Sequence, residues 1–345
     1  MEDFDKLTGS TLTAPLLAAA RNAARICLGA TSSERVVLMY DATASSVAAG
    51  LLAAFKEIGV SSIEVFDMDR FGERPFTQLP TPVQKSLESA TVSAWAARTL
   101  QGEFKTRRAM LEVVSKAGIR HAHMPSVTAH IFADGLSMDY RQVKAFVDRL
   151  VEVILETGSL TMTSAGGTDI EFRYSIPPKL ERLDGIITSE RWQNLPSGQI
   201  VIAPQDASGA YVVDRTIGDW FENKYDVSQY PVTLEFEKGQ IRALKCDNRR
   251  LEQDLWLFIR SSDNSARISE LAIGANLGLT HAHTGVLFDN YRPGTSISIG
   301  SAPAGAAGWT SATFLSLVGR RSSLFVGERR IMTDDVFTPD LVVAP

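Results

Sequence analysis

Cysteine is nearly absent from this 345-residue chain, with Cys27 and Cys246 standing far apart as the only two. Two isolated thiols supply neither a disulfide framework nor a thiolate metal cluster, and they fit a reducing cytoplasm. Long apolar runs are lacking as well. No window approaches the ~20 apolar residues of a membrane span. The acidic start MEDFDKLTGS, followed by an apolar stretch broken by Arg21 and Arg25, is unlike a signal peptide. Basic charge is not in excess, since the formal net charge is -5 and the basic residues are dispersed. That leaves no electrostatic footprint for a phosphate backbone, so neither nucleic acid nor membrane is expected as a partner. Motifs for common chemistries are also missing. There is no GxSxG elbow, no GxGxxG after the first strand, no Walker lysine loop and no internal repeat.

What is present is a globular composition, 44% hydrophobic and 22% charged, on a chain long enough for two domains. Leu16 to Leu28 has helical spacing and leads to RVVLMYDA, an apolar run of strand length at Arg35 to Ala42. A helix over Ser45 to Val60, capped by Ser45 or Ser46, then IEVFDM as a strand, gives the strand-helix-strand order of a parallel sheet. TVSAWA, a helix over Phe104 to Lys116 stopped by Gly118, and the strand IRHAHM extend it. An amphipathic helix over Tyr140 to Glu156 ends at Thr157-Gly158, the expected boundary. Beyond it lie short β-branched runs: SLTMT, TDIEFRYS, QIVIAPQ, AYVVD, VTLEFEKGQIRALK, TSISIG and SLFVGERRIM. Lys238-Gly239 and Gly327-Glu328 are expected hairpin turns, and Arg249 to Arg260 an expected helix. The predicted class is α/β: an N-terminal doubly wound parallel-sheet domain over residues 1–157, then a strand-rich α+β domain over residues 158–345.

All five histidines fall in two clusters. His281 and His283 share a face in extended chain and could present two imidazoles to one cation, with Glu270 and Asp289 as the nearest carboxylates. The competing reading is a strand edge or loop carrying polar histidines. His121 and His123 alternate on a predicted strand, with His130 seven residues beyond His123. They are either ligands near a strand end or hydrogen-bonded histidines at the domain surface. Asp41, closing the first strand, faces a cleft or caps a turn, and Gly166-Gly167 makes a turn between strands. Trp192, in the polar loop ERWQNLPSGQ, either contacts a ligand or caps a core.

The order and spacing of GIRHAHMPSVTAHIFADGLSMDY, GGTDIEF, LPSGQIVIAPQDASGAYVVD, SELAIGANLG, GVLFDNYRPGTSISIG and LFVGERRIM resemble the M29 (aminopeptidase T-like) metallopeptidases and the dihydroxypyridine dioxygenases that share their fold. The resemblance covers most of the chain and implies a homodimer and a two-metal site in the C-terminal domain. Its glutamate in a segment like ELGIGTN matches Glu270. The glutamate and histidine of LFDEK and GTxHIALG correspond to Asn290 and Ser296, the tyrosine of SYP to Ala302, and the histidine and aspartate of SAxHxD to Phe314 and Ser316. The dioxygenases' single-iron triad would fall on Glu270, Phe314 and Ser316. By this pattern the chain is a degenerate member that has lost most metal ligands.

One carboxylate does not repay the dehydration of a divalent cation. The expectation is therefore a non-catalytic, cofactor-free, aminopeptidase-like protein. It would bind a peptide or peptide-like small molecule through Glu270, Asn290, Tyr291, Ser296, Trp309, Phe314, Ser316 and Trp192, as an accessory protein in a peptide or natural-product modification pathway. The alternative is a hydrolase or ring-cleaving dioxygenase with zinc or iron relocated to Glu270, His281, His283 and Asp289.

Overall fold

The computed structural model describes Leu7 and residues 12–100, 102–279, 285–301 and 308–342. Contacts divide the chain into two units. One comprises the chain up to Lys144, Asp184–Ser197 and a short piece beginning at Gly278. The other comprises Ala145–Leu183, Gly198–Leu277 and the remainder. The division falls inside the helix Tyr140–Ile154, where the sequence suggested a single boundary between Thr157 and Gly158. The packing explains it. The Tyr140 hydroxyl donates to the Gly135 carbonyl at 3.1 Å and accepts from the Ser197 amide at 2.7 Å, within the first unit. Phe146, Val147, Leu150 and Ile154 belong to the core of the second.

In the first unit, strands β1 (Arg35–Tyr40), β2 (Ser62–Asp67), β3 (Val92–Ala97) and β4 (Arg120–Pro125) are joined by the helices Ser45–Ile58, Thr81–Ser89 and Phe104–Ala117. Gly59 (φ +89°) and Gly118 (φ +65°) end two of these helices in the left-handed conformation that a Cβ disfavours. Ser45 and Ser46 lie inside their helix. The turn before it is capped instead by Asp41, whose carboxylate accepts from the Thr43 amide at 3.0 Å.

The chain then enters the second unit with β5 (Ser159–Ser164), β6 (Asp169–Arg173) and β7 (Leu180–Leu183), and returns to the first with β8 (Gln193–Asn194). The first unit's sheet is parallel throughout, in the order β2-β1-β3-β4-β8. Gly167, in the β5–β6 turn, has φ +106°.

The rest of the second unit is β9 (Gln199–Ile202), β10 (Asp206–Val213), β11 (Thr216–Ile217), β12 (Val232–Glu237), β13 (Gln240–Cys246), the helix Arg249–Ile259, β14 (Ile268–Gly274), β15 (Gly294–Gly300), β16 (Phe314–Val318), β17 (Ser322–Val326), β18 (Arg329–Thr333) and β19 (Val336–Phe337). These strands form two antiparallel sheets, β13-β12-β10-β6-β5-β17-β18-β19 and β11-β16-β15-β14-β9-β7. Lys238 (φ +50°) and Gly239 (φ +72°) make the tight β12–β13 turn, which requires positive φ at both positions. Both sheets contribute to one core, with Leu160, Phe172 and Tyr211 from the first and Ile202, Leu271 and Ile297 from the second. Among the described residues no helix is long and apolar enough to cross a membrane.

Candidate functional site

Open parallel sheets collect ligands outside their strand ends at the point where strand order reverses. Here that point lies between β1 and β3, and the chain fills it with its own charges. Arg74 binds Asp41 at 2.8 Å and Glu103 at 2.6 Å, with all three side chains at most 2% exposed. Asp41 also accepts from the Arg98 amide at 2.9 Å. Burial raises the Asp41 carboxyl, but the Thr43, Arg98 and Arg74 donors outweigh it and hold the group below its usual range. Asp41 is therefore both a turn cap and half of a buried ion pair.

The first histidine pair is buried, neither at the surface nor set for ligation. His121 and His123 lie on one face of β4, opposite Ser93 and Trp95 of β3. His121 Nδ1 is 2.8 Å from Ser93 Oγ, and His121 Nε2 is 3.4 Å from His123 Nδ1. Burial lowers the His121 imidazole to about 3 and drives His123 down as well, with the neighbouring His121 and Arg107 adding to the effect on His123. Folded pKa values below the unfolded one mean that stability is lost as pH falls below about 6.5. Neither ring is expected to titrate between pH 5 and 8 in a histidine NMR titration, and a midpoint near 6.5 for either would refute their burial as neutral groups. Trp192 packs edge-on against His123 at 5.8 Å and joins this core. It thus caps a core in the first unit, whereas every other candidate ligand contact lies in the second. His130 is exposed on the helix Ala129–Gly135, apart from the pair's strand.

The second unit does gather most of the C-terminal candidates on its six-stranded sheet. One face carries an unbroken apolar row, Leu180, Ile202, Leu271, Ile297, Leu317 and Ile217, one residue from each strand. The opposite face holds polar side chains among apolar ones such as Val201, Val318 and Phe314. Glu270 on β14 stands opposite Ser298 on β15, which stands opposite Ser316 on β16, and the next row holds Ala272 and Ser296. A bulge between Ile268 and Glu270 makes this possible. The extra residue, Ser269, lets Ile268 enter the core with Leu271 and Ile273 while Glu270 turns to the polar side.

Burial pushes the Glu270 carboxyl up to about 7, with the Ser298 hydrogen bond opposing and Glu181 adding to the rise. Asn290 reaches the same face. A Cβ on Gly274 would lie 1.8 Å from the Arg292 carbonyl oxygen, so only glycine lets this segment cross the strand so closely. Gln199 Nε2 donates to the Asn290 carbonyl at 3.2 Å, and Asn290 Nδ2 donates to Ser316 Oγ at 3.2 Å. Asn290 Oδ1 is buried and accepts no hydrogen bond among the described residues.

The remaining candidates are placed differently. Tyr291 is fully buried, so it packs the interior. Trp309 is engaged, its ring stacked under Arg267 at 3.8 Å and its Nε1 donating to the Gly300 carbonyl at 3.2 Å. Phe314 sits on the polar face opposite Gly300 and is 43% exposed. Asp289 is bound to Arg215 at 2.7 Å and is not free to ligate. His281, His283 and Ala302 lie outside the described residues. Ser298 and Gln199 belong to the site without having been singled out. For Ser298 the signal was the strict alternation in TSISIG, which puts Ser296 and Ser298 on one face.

The described polar groups on this face include two carboxylates, Glu270 and Glu181, three serine hydroxyls, a carboxamide and a glutamine. Neither a two-metal site nor a single-iron site is met by that set, because hydroxyls and amides are weak neutral ligands. Among the described residues no three His, Cys, Asp or Glu side chains converge as a metal site would require.

Parallel and antiparallel sheets arranged in this way place the chain in the fold class of the M29 aminopeptidases and dihydroxypyridine dioxygenases. It is similar in structure to a 2,5-dihydroxypyridine dioxygenase from Pseudomonas putida KT2440, with a TM-score of 0.68 and 16% identity over 95% of this chain and 98% of that one. It is likewise similar to wild-type AmpT from Thermus thermophilus, with a TM-score of 0.67 and 13% identity over 94% and 98% of the two chains. No protein-family model and no curated protein matches the sequence. At these identities the likeness shows the fold.

Proposed function

We propose that this chain is a binding protein whose polar sheet face holds a peptide or peptide-like small molecule by hydrogen bonds, without metal chemistry. The observation that carries the reading is Asn290 Oδ1 beside Ser316, buried and accepting no hydrogen bond among the described residues. An unsatisfied buried acceptor costs about 1–3 kcal/mol, and an incoming amide N–H would recover that energy. Glu270 and the serines beside it offer the complementary acceptors and donors for a peptide's alternating groups. In this reading the protein works as an accessory factor in a peptide or natural-product modification pathway, as a cytoplasmic homodimer. The competing metal site would have to take Asp289 away from Arg215.

Saturation-transfer NMR with a mixed tripeptide library tests the proposal. Binding is expected to persist after EDTA treatment and to weaken about tenfold in Ser316→Leu, the loss of one or two hydrogen bonds. Near-stoichiometric zinc, iron or manganese in the purified protein, lost in a His281→Ala/His283→Ala variant, would overturn it. So would binding that EDTA abolishes.

A further inference from the structure

A cleft of about 660 Å³ opens beside β11 in the second unit, and its lining includes Arg215, Lys224, Asp226, Asp289 and Arg320. It adjoins the polar face. Thr216, which also lines it, stands opposite Val318 in the cross-strand row of Ser296 and Ala272. Asp289, on its wall, directly precedes Asn290.

Most charges in the cleft are already engaged. Asp289 is held by Arg215 at 2.7 Å, and Asp226 accepts from the Ser228 amide and hydroxyl at 3.0 and 2.6 Å and from Gln229 at 2.9 Å. Glu222 is engaged as well. Lys224 binds Asp254 at 2.6 Å under the Trp220 ring. Two guanidinium groups retain unspent donors. Arg215 uses one N–H on Asp289, and Arg320 lies 3.5 Å from Asp214 through its buried Nε, leaving its Nη groups as the donors it can offer the cleft. A guanidinium offers five N–H donors in a planar fork, so the pair presents far more donor capacity than its carboxylate neighbours consume. Arg215 is only 17% exposed, and partial desolvation strengthens what it binds.

We infer that this cleft is an oxyanion subsite in which Arg215 and Arg320 take the C-terminal carboxylate of the peptide-like ligand whose backbone lies on the polar face. The inference rests on that reading of the face, and it selects short peptides with a free C-terminus over internal or amidated segments.

The test compares three probes by saturation-transfer NMR: the tripeptide library with free carboxylates, the same library C-terminally amidated, and inorganic phosphate. The free acids are expected to bind about tenfold more tightly than the amides to the wild type. Arg320→Gln should abolish that preference, so that acids and amides bind the variant alike. Arg320→Lys should restore only part of it, because an ammonium lacks the fork. Equal binding of acids and amides overturns the subsite while leaving the binding function intact. Phosphate binding that depends on Arg320, with no acid preference, overturns the carboxylate assignment in favour of a phosphate site. No binding of any probe overturns both.

Discussion

Replacing Arg74 with alanine is expected to destabilise the protein by about 3–5 kcal/mol, measured by urea unfolding at pH 7. Arg74 compensates two buried carboxylates at once. Its Nε and Nη2 form a fork on Glu103 at 2.8 and 2.6 Å, while Nη1 reaches Asp41 at 2.8 Å. Removing it strands both acids in the crevice at the ends of β1 and β3, with only neutral donors and the half-exposed Arg98 left to Asp41. Burial alone would raise Asp41 and Glu103, but with Arg74 present both are held below the ordinary carboxylate range. Folded pKa values below the unfolded ones mean that this contribution is complete at neutral pH and is lost as pH falls through the folded values. The deficit of Arg74→Ala should therefore begin to shrink above the ordinary carboxylate range, about pH 4, as the stranded acids, raised by burial, take up protons, and should shrink further below it. A deficit under about 1 kcal/mol at pH 7, or one independent of pH, would show that the crevice admits water and that the cluster is not a structural plug.

The α/β half was legible because local pattern decides it. RVVLMYDA, IEVFDM, TVSAWA and IRHAHM became β1 to β4, and the glycine stops after two of the helices lie where the periodicity ends. The helices Thr81–Ser89 and Ala129–Gly135 are too short for their periodicity to stand out, and the two-residue strands β8 and β11 exist only through their partners. In the second unit the alternation of TSISIG announced a half-buried strand, yet not what lay beside it. Glu270 meets Ser298 only because one extra residue shifts the register, and nothing local in ISELAIG marks that bulge. Asp289 was expected as a free carboxylate, but its partner Arg215 is 74 residues away. Trp192 met the core-cap alternative rather than the ligand contact, for a related reason. Its neighbour His123 belongs to a strand far upstream, and the polar letters around the tryptophan describe the loop rather than the ring's surroundings.

Glu270→Gln is expected to make the protein more stable at pH 8, by about 2–3 kcal/mol, and to leave it nearly unchanged at pH 5. The wild-type carboxyl is pushed up to about 7 from an ordinary 4.5, chiefly by burial. A carboxyl whose folded pKa is raised contributes stability that is fully present below the unfolded pKa and is lost as pH rises to the folded one. The window is thus about pH 4.5 to 7, and at about 1.36 kcal/mol per pH unit it sets an upper bound of about 3 to 4 kcal/mol on the effect. Above that window the wild type must keep a charge near Glu181 on a face otherwise made of hydroxyls, amides and apolar side chains, whereas glutamine keeps the shape without the charge. Paired urea titrations at pH 5 and pH 8 would read the difference directly, and a variant no more stable than wild type at pH 8 would mean that Glu270 is solvated or paired in solution. Retaining a glutamate where glutamine folds better calls for a use of its charge. On the polar face that use is to accept hydrogen bonds from a ligand's N–H groups, which a carboxylate does more strongly than an amide. The same substitution that stabilises the fold should therefore weaken tripeptide binding at pH 8.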